Sequence, residues 1–230
     1  AKYLIESELS ITDIAFATGH TSHSSFTRSF KAFYDQSPKQ FRKEKPSIIM
    51  RNKPILSSEL LDHIQNQVEH APIIKEVPAQ YIIGVKTELK SPYIGHKNYD
   101  EILIPFWKKF LSRKFELKNV VDNKYIGIAK SISGNYDEDT LQYIAGVEVT
   151  KVDTVPEGMT LYTIPAQKVA IFNIKGRCDS ISKNVDYIYG IWLSTAGFER
   201  GLGDDYEVFD DTYNYNKIES HSQYVIPLKK

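Results

Sequence analysis

The sequence predicts an α+β fold in which a helical N-terminal segment precedes a duplicated β-α-β-β unit that forms an antiparallel sheet. Apolar residues recur at helical spacing through the first 45 residues. The tetrapeptide Val77–Gln80 returns 87 residues later as Ile164–Gln167, and each copy leads into an apolar strand-like run. We therefore divide the chain into a helical segment (1–45), a linker (46–72) and a sheet domain (73–230).

The composition is that of an ordinary globular protein. Hydrophobic residues make up 41% and charged residues 25% of the chain, and no window approaches the ~18 uninterrupted apolar residues of a membrane span. The N-terminus lacks the apolar run and the cleavage site of a signal peptide. Cys178 is the single cysteine and cannot form an internal disulfide. We therefore expect a cytoplasmic protein with no membrane partner.

The net charge of zero conceals an uneven distribution. Residues 1–53 carry nine basic and five acidic side chains, although the whole chain has 29 of each. A basic segment on an acidic remainder is typical of a segment that contacts a polyanion, although many small domains reach such an excess by chance.

Helix signals mark the start of the chain. Ser10 and Asp13 have capping-box spacing, with Asp in place of Glu, and predict a helix over 11–18. Gly19 follows where a left-handed residue ends a helix. Ser22 can cap a second helix that runs to about residue 34.

The second helix has two distinct faces. The apolar stripe at i, i+4 and i+7 consists of Phe26, Phe30 and Phe33, and the polar face of the same spacing consists of Ser24, Arg28 and Lys31. A third short helix follows Ser37-Pro38, with Lys39, Arg42 and Lys43 pointing outwards. This arrangement suits a DNA-reading helix-turn-helix, but the periodicity alone is more typical of an ordinary packed helix.

The residues themselves resemble the second helix-turn-helix of the AraC/XylS family of transcription regulators. The family's I-A-x-x-x-G-F turn matches residues 14–20, where His20 replaces the usual Phe. Its S-x-F-x-R-x-F-K recognition helix matches residues 24–31. Its G-x-S/T-P-x-x-F/Y-R ending matches residues 36–42, where Gln36 stands near the usual Gly. The residues that the resemblance places at DNA are Thr21, Ser22, His23, Ser24, Thr27, Arg28, Lys31, Lys39 and Arg42. The family has two such units and only the second is present, so we expect weak DNA binding by this chain alone.

The sheet domain carries the repeat. The first unit has strand-like runs at 81–85, 125–129 and 143–149 and a helical stretch at 102–111; the second has runs at 168–172, 206–209 and 224–228 and a helical stretch at 181–193. We expect both helices on one side of the sheet and a groove between the halves.

Residues 73–230 resemble the GyrI-like domain, the effector-binding domain of AraC-type and related regulators. The stretches that carry the resemblance are 107–110, 143–149, 164–172, 191–193, 206–209 and 224–228. Members of this family bind bulky, often cationic or aromatic compounds with stacked rings and one acidic side chain. The resemblance therefore implies an effector site of Trp107, Tyr143, Trp192 and Glu207. Weaker candidates are Tyr93, Tyr206, Phe209 and Glu148.

Such a site is physically coherent, because a carboxylate among aromatic rings attracts an organic cation, and each ring face adds ~0.5–2 kcal/mol. Two structural alternatives stay open: Trp107 and Trp192 could be core residues, and Glu207 could lie on a solvated strand face. The histidines have no metal-ligand spacing, and no phosphate-binding glycine motif is present. We therefore expect no metal and no cofactor.

Three functions follow from these residues. The first is a DNA-binding transcription regulator that senses a small aromatic or cationic effector and is not an enzyme. The second is a GyrI-like hydrolase with Glu207 and Tyr143 as base and acid. The third is a protein-interaction module. The sequence leaves open the effector, the operator, activation against repression, and the oligomeric state.

Overall fold

The structure is a computed structural model that describes residues 1–44, 56–69, 71–90, 99–131, 140–176, 181–217 and 219–229. A helical segment is followed by a sheet domain with helices on one face. None of the helices in these ranges is long and apolar enough to cross a membrane.

Four short helices form the N-terminal segment: α1 (Lys2–Glu6), α2 (Ile11–Ala17), α3 (His23–Tyr34) and α4 (Pro38–Glu44). The side chain of Ser10 accepts the N–H of Asp13, and that of Ser22 accepts the N–H of Ser25, so both expected caps are present. Gly19 has a φ of 81° in the turn between α2 and α3, as a left-handed glycine requires. The predicted helix-turn-helix is confirmed.

A small aromatic core holds the segment together. Phe30 is buried and meets the ring of Phe41 edge-on, with centroids 5.0 Å apart. Phe33 departs from the predicted stripe and is 48% exposed. The reason is that Tyr34, the next residue, already fills the narrow core and packs 4.5 Å from Phe30 and 4.9 Å from Phe41.

Eight strands form one antiparallel sheet: β1 (Ile73–Val77), β2 (Gln80–Lys90), β3 (Val120–Ser131), β4 (Thr140–Val149), β5 (Thr160–Ile164), β6 (Gln167–Lys175), β7 (Asp205–Phe209) and β8 (His221–Leu228). Their order is β1-β6-β8-β7-β3-β4-β2-β5. Each unit thus has one more strand than predicted, because the short strands β1 and β5 precede the two β-α-β-β units. These first strands are exchanged, because β1 pairs with β6 and β5 pairs with β2.

The two units are related by a pseudo-twofold axis through the middle of the sheet. One row of paired residues crosses six strands in the order Val85, Ala145, Gly127, Glu207, Tyr224 and Phe172. Val85 and Phe172 are 87 positions apart, which is the offset of the sequence repeat. The axis therefore passes between Gly127 and Glu207.

Three further helical elements cover one face of the sheet: α5 (Ser58–Gln67), α6 (Tyr99–Leu111) and α7 (Ile181–Tyr187), which continues as a π-helical turn (Ile188–Trp192) and a last turn, α8 (Leu193–Thr195). Their apolar side chains and those of the facing strands form the main core. A second apolar cluster on the opposite face is formed by strand residues alone. The predicted placement of both repeat helices on one side is confirmed.

The expected linker contains a helix that packs on the sheet domain. Ser57 caps α5 by accepting the N–H of Leu60, and Leu60 is buried. His63 is buried and lies 2.7 Å from the side-chain oxygen of Asn184 on α7. Ile64 packs against the main core. The apolar stripe of α5 therefore packs against the sheet domain, and the division into a linker at 46–72 and a domain from 73 stays a prediction.

Candidate functional site

A cavity of about 260 Å³ opens between α6 and the middle of the sheet. Helix α6 contributes Leu103, Ile104, Trp107, Lys108 and Leu111; the strands contribute Leu89, Tyr125, Ala129, Leu141, Tyr143, Glu207 and Phe209. The segment after β7 and the start of α7 contribute Asp210, Asp211, Tyr213, Tyr215 and Ile181. The sheet thus supplies the floor of the cavity, and α6 supplies a wall.

Glu207 lies on the floor of this cavity, on the central strand β7. Its side chain is partly buried. Within the described part of the chain, no side chain makes a hydrogen bond or an ion pair with its carboxylate. Burial raises the pKa of Glu207 to about 7, since an unpaired charge is disfavoured away from water. The sequence expectation that Glu207 faces the groove is therefore consistent with its position.

Aromatic rings surround this carboxyl group. The indole N–H of Trp107 donates to the hydroxyl oxygen of Tyr143 at 3.2 Å. The rings of Trp107 and Phe209 meet edge-on at 5.7 Å, and that of Tyr213 lies 4.6 Å from Phe209. Trp107 and Tyr143 thus lie in the cavity where the family resemblance places them, and Phe209, a weaker candidate, joins them.

The other acidic side chains of the cavity are already engaged. Asp211 accepts a hydrogen bond from the hydroxyl of Tyr125 at 2.5 Å. Asp210 accepts the backbone N–H and the hydroxyl of Thr212 at 2.8 and 2.6 Å, which lower the pKa of Asp210. Glu207 is therefore the carboxylate available for a ligand. No group of three potential metal-ligating side chains occurs among the described residues.

Trp192 does not line this cavity, so the structure does not bring it together with Trp107, Tyr143 and Glu207, and its assignment to the effector site stays a prediction. Its ring meets Phe172 edge-on at 4.9 Å and stacks on Phe198 at 5.8 Å with an interplanar angle of 15°. The physical reason is that Trp192 ends a π-helical turn, whose wider i→i+5 geometry breaks the predicted stripe. Trp192 is therefore partly buried and packs against the main core of the sheet domain.

Two weaker candidates lie on the opposite face of the sheet. Tyr206 belongs to the apolar cluster formed by strand residues alone, and its hydroxyl donates to Gln80 at 3.2 Å. Glu148 accepts a hydrogen bond from Gln80 at 2.8 Å and pairs with Lys124. Side chains alternate along a strand, so neither residue reaches the cavity. Tyr93 falls outside the described residues.

A buried charge network in the second half was not expected from the sequence. Asp205 is 2% exposed, and its carboxylate pairs with the guanidinium of Arg200 at 2.8 Å. The hydroxyls of Tyr189 and Tyr224 also donate to Asp205, at 2.7 and 3.0 Å. The only sequence signal for this pair is an arginine and an aspartate around Gly201 and Gly203, which is too common to be diagnostic.

Most side chains expected at DNA lie on the outside of the helical segment. Those that are exposed are Thr21, Ser22, His23, Ser24, Arg28, Lys31 and Lys39. Arg28 is thus not part of the core of the segment. These positions leave the outer face of α3 accessible to a DNA groove.

Two residues expected at DNA are placed differently. Arg42 donates from Nε to the carbonyl of Leu4 at 3.2 Å and from a terminal nitrogen to that of Leu9 at 2.7 Å. Its guanidinium therefore connects α4 to the chain around α1, and the phosphate contact expected of Arg42 stays a prediction. The hydroxyl of Thr27 is buried without a hydrogen-bond partner in the described residues, so it is not presented to DNA.

Comparison with known proteins identifies the sheet domain. Residues 70–229 match the family described as the GyrI-like small molecule binding domain. The chain belongs to the GyrI-like family. Its N-terminal residues 1–44 match a helix-turn-helix domain family, in keeping with the AraC-type resemblance. The GyrI-like domain and the helix-turn-helix therefore stand in one chain.

One curated relative of this GyrI-like chain is the transcriptional regulator BrlR of Pseudomonas aeruginosa. The two are 31% identical over 153 residues, which is 66% of this chain and 53% of BrlR. The chain thus spans about half the length of this relative.

Solved structures share the fold. A structure described as the EcmrR–DNA complex aligns with 96% of this chain, and the alignment includes 78% of the EcmrR chain. The TM-score is 0.54 and the sequence identity is 16%. The structure of the EcmrR C-terminal domain aligns with 71% of this chain, and the alignment includes 98% of that domain. The TM-score is 0.51 and the sequence identity is 16%. SAV2435, solved with bound tetraphenylphosphonium, aligns with 69% of this chain, and the alignment includes 93% of the SAV2435 chain. The TM-score is 0.50 and the sequence identity is 11%.

Proposed function

We propose that this chain is part of a DNA-binding transcription regulator whose GyrI-like domain binds an aromatic cation in the cavity over Glu207. The observation that carries the proposal is the unpaired carboxylate of Glu207 on a floor surrounded by aromatic rings. A cation placed there removes the cost of the isolated charge, which no described side chain offsets.

Charge and shape both favour a cation over an anion. Among the described residues that line the cavity, three are acidic, Glu207, Asp210 and Asp211, and one is basic, Lys108. Trp107, Tyr143 and Phe209 supply ring surfaces, and ring faces attract cations by about 0.5–2 kcal/mol each. Flat aromatic walls accept ligands of varied outline, so we propose broad rather than narrow specificity.

The helical segment supports the DNA-binding half of the proposal. Ser24, Arg28 and Lys31 lie on the exposed face of α3, and the turn before it has the geometry of a helix-turn-helix. A regulator that binds DNA and carries a single cysteine fits a reducing cytoplasm. Because the segment holds one such unit, we propose that high affinity for an operator needs contacts beyond this chain.

One observation favours the hydrolase alternative. A carboxylic acid with a pKa of about 7 is close to the optimum for a general base, and Glu207 shares the cavity with the hydroxyl of Tyr143. The fused helix-turn-helix favours binding without turnover, because a sensor needs its ligand unchanged. Loss of the ligand during incubation with the protein would decide for the hydrolase.

A fluorescence titration tests the binding function. Trp107 and Trp192 are the two tryptophans, so Trp192→Phe leaves Trp107 as the reporter inside the cavity. We expect tetraphenylphosphonium to quench this reporter with saturation, and neutral triphenylphosphine oxide to bind at least about tenfold more weakly, because it lacks the positive charge that the carboxylate of Glu207 attracts. Equal affinity for the two compounds, or no saturable binding, would contradict the proposal.

A further inference from the structure

The sheet domain touches the C-terminal end of helix α3 through the residue that follows β8. The ammonium of Lys229 donates to the carbonyl of Ala32 at 2.9 Å and lies 5.3 Å above the ring of Phe33. It also pairs with Glu199 at 3.2 Å. A cation at the last carbonyls of a helix is favourable, since these carbonyls lack helical partners.

Leu202 makes a second contact between the two parts of the chain. Its side chain packs against the core of the helical segment, as Tyr34 does from within that segment. Leu202 and Glu199 belong to one loop, residues 199–203, which leads into β7. Within the described residues, the sheet domain therefore contacts the helical segment through this short loop and through Lys229, directly after β8.

Arg200 fixes the shape of this loop from inside. It donates to the carbonyls of Gly201 and Gly203, both at 2.8 Å, while it pairs with Asp205 at 2.8 Å. The N–H of Gly201 donates to the carbonyl of Pro227 at 3.0 Å, which braces the loop against β8. These three hydrogen bonds to backbone groups of Gly201 and Gly203, together with the buried ion pair, therefore leave the loop little freedom to move independently of β7.

The same ion pair connects the loop to the cavity. Asp205 lies two residues before Glu207 on β7, so both side chains project from the same face of the sheet. Tyr224 is the register partner of Glu207, and its hydroxyl donates to Asp205 at 3.0 Å. A ligand that shifts the β7 backbone at Glu207 therefore shifts Asp205, and Arg200 carries the shift to the loop.

We infer that loop 199–203 is the coupling element through which occupancy of the cavity acts on the DNA-reading helix α3. The inference rests on the proposed function, because it requires a ligand at Glu207. The loop acts on the C-terminal turn of α3, around Ala32 and Phe33, and the N-terminal turn of α3 stays exposed to DNA.

Hydrogen exchange of the whole chain tests the coupling, with tetraphenylphosphonium as the probe and quenching of the tryptophan fluorescence, to which Trp107 in the cavity contributes, as an independent measure of its binding. In the native protein we expect bound probe to change the exchange of the Phe33, Tyr34 and Asp35 amides by about threefold or more, because local opening of this turn depends on its contacts. In Leu202→Ala we expect probe affinity within about twofold of native and the response of these amides lost.

Leu161→Ala is the matched control, because Leu161 is an exposed leucine of the same domain on the edge strand β5. It should keep both binding and the response at α3. The inference is overturned if the probe binds and α3 does not respond, or if Leu202→Ala responds like the native protein. If fluorescence detects no probe binding to the native protein, the proposed function fails, and the coupling fails with it.

Discussion

Glu207 lies directly opposite Gly127 across the paired central strands β7 and β3. The space that a side chain at Gly127 would occupy is taken by the hydroxyl of Tyr143 and the ring of Phe209. The missing side chain therefore leaves room for two aromatic groups beside Gly127, and it leaves Glu207 without a side-chain neighbour on β3, whereas Tyr224 is its partner on β8.

Removing the charge of Glu207 should weaken cation binding selectively. Glu207→Gln keeps the shape of the side chain, and tetraphenylphosphonium should lose roughly 2–3 kcal/mol of binding free energy, the coulombic attraction of two unit charges about 6 Å apart at an effective dielectric constant of about 20. Triphenylphosphine oxide should lose little. Isothermal titration of both compounds measures the difference.

Trp107→Ala serves as the counterpart, because the stacking and apolar contacts of the indole are available to a neutral ligand as well as to a cation. It should weaken the binding of both compounds, and tetraphenylphosphonium should lose at most about 0.5–2 kcal/mol more, the cation–π attraction of one ring. An equal loss for the two compounds in Glu207→Gln would mean that the carboxylate does not recognise charge.

The ionisation of Glu207 should make stability depend on pH. The pKa of Glu207 is about 7 in the folded chain and 4.5 in its ordinary state, so the folded state holds this proton more tightly. The contribution of Glu207 to the free energy of unfolding is therefore full below pH 4.5 and is lost as pH rises towards 7, by up to about 3 kcal/mol. Urea unfolding at pH 5 and pH 8 measures it.

Glu207→Gln provides the reference for this pH effect, because the amide does not titrate. The native protein should lose stability relative to the variant between the two pH values. A constant difference between the two proteins would show that Glu207 titrates normally in the folded state.

A methyl group at Gly127 should disturb the cavity through Tyr143. The Cβ of Gly127→Ala would lie 2.2 Å from the hydroxyl oxygen of the buried Tyr143, so we expect about 1–3 kcal/mol of destabilisation and weaker ligand binding. Tyr143→Phe removes that oxygen. The double variant should therefore regain part of the lost stability in thermal unfolding, whereas simple additivity of the two effects would rule out the proposed clash.

Breaking the buried ion pair should be costly. Arg200→Met leaves Asp205 buried and unpaired, and such a loss destabilises a protein by about 3–5 kcal/mol. Asp205→Asn in the same chain removes the stranded charge and should restore part of the stability. Chemical denaturation of the single and double variants measures this. If the second change brings no recovery, the pair does not contribute through its charge.

The two arginines of the helical segment should behave differently. Arg28 is exposed, so Arg28→Ala should change stability by less than about 0.5 kcal/mol and should alter DNA sequence preference in a protein with a complete DNA-binding module. Arg42→Ala should destabilise the segment by about 1–2 kcal/mol, since the carbonyls of Leu4 and Leu9 lose their donor. Hydrogen exchange of α1 and α4 distinguishes these outcomes.

Local rules predicted much of this fold. The caps at Ser10 and Ser22 and the left-handed turn at Gly19 depend on neighbouring residues only, so the helix-turn-helix could be placed from the sequence. The repeat of Val77–Gln80 likewise placed the strands and both repeat helices, since each copy carries the periodicity of its own elements.

The remaining features depend on contacts between distant residues. The exchange of β1 and β5 could not be predicted, because a short apolar strand does not specify which edge it joins. Trp192 follows a helical stripe in the sequence, and the π-helical turn places it away from the cavity over Glu207. Arg200 and Asp205 form their pair because Tyr189 and Tyr224, which are remote in sequence, enclose them.

The pseudo-twofold axis between Gly127 and Glu207 also bears on the ancestry of the domain. If two identical copies of one unit associated with the same exchange of first strands, both positions beside the axis would hold the same residue. Two glutamates directly opposite each other would repel, and two glycines would provide no charge. Joining the copies in one gene allowed the two positions to diverge, so the acidic site is a property that a symmetric homodimer of this unit could not have stably acquired.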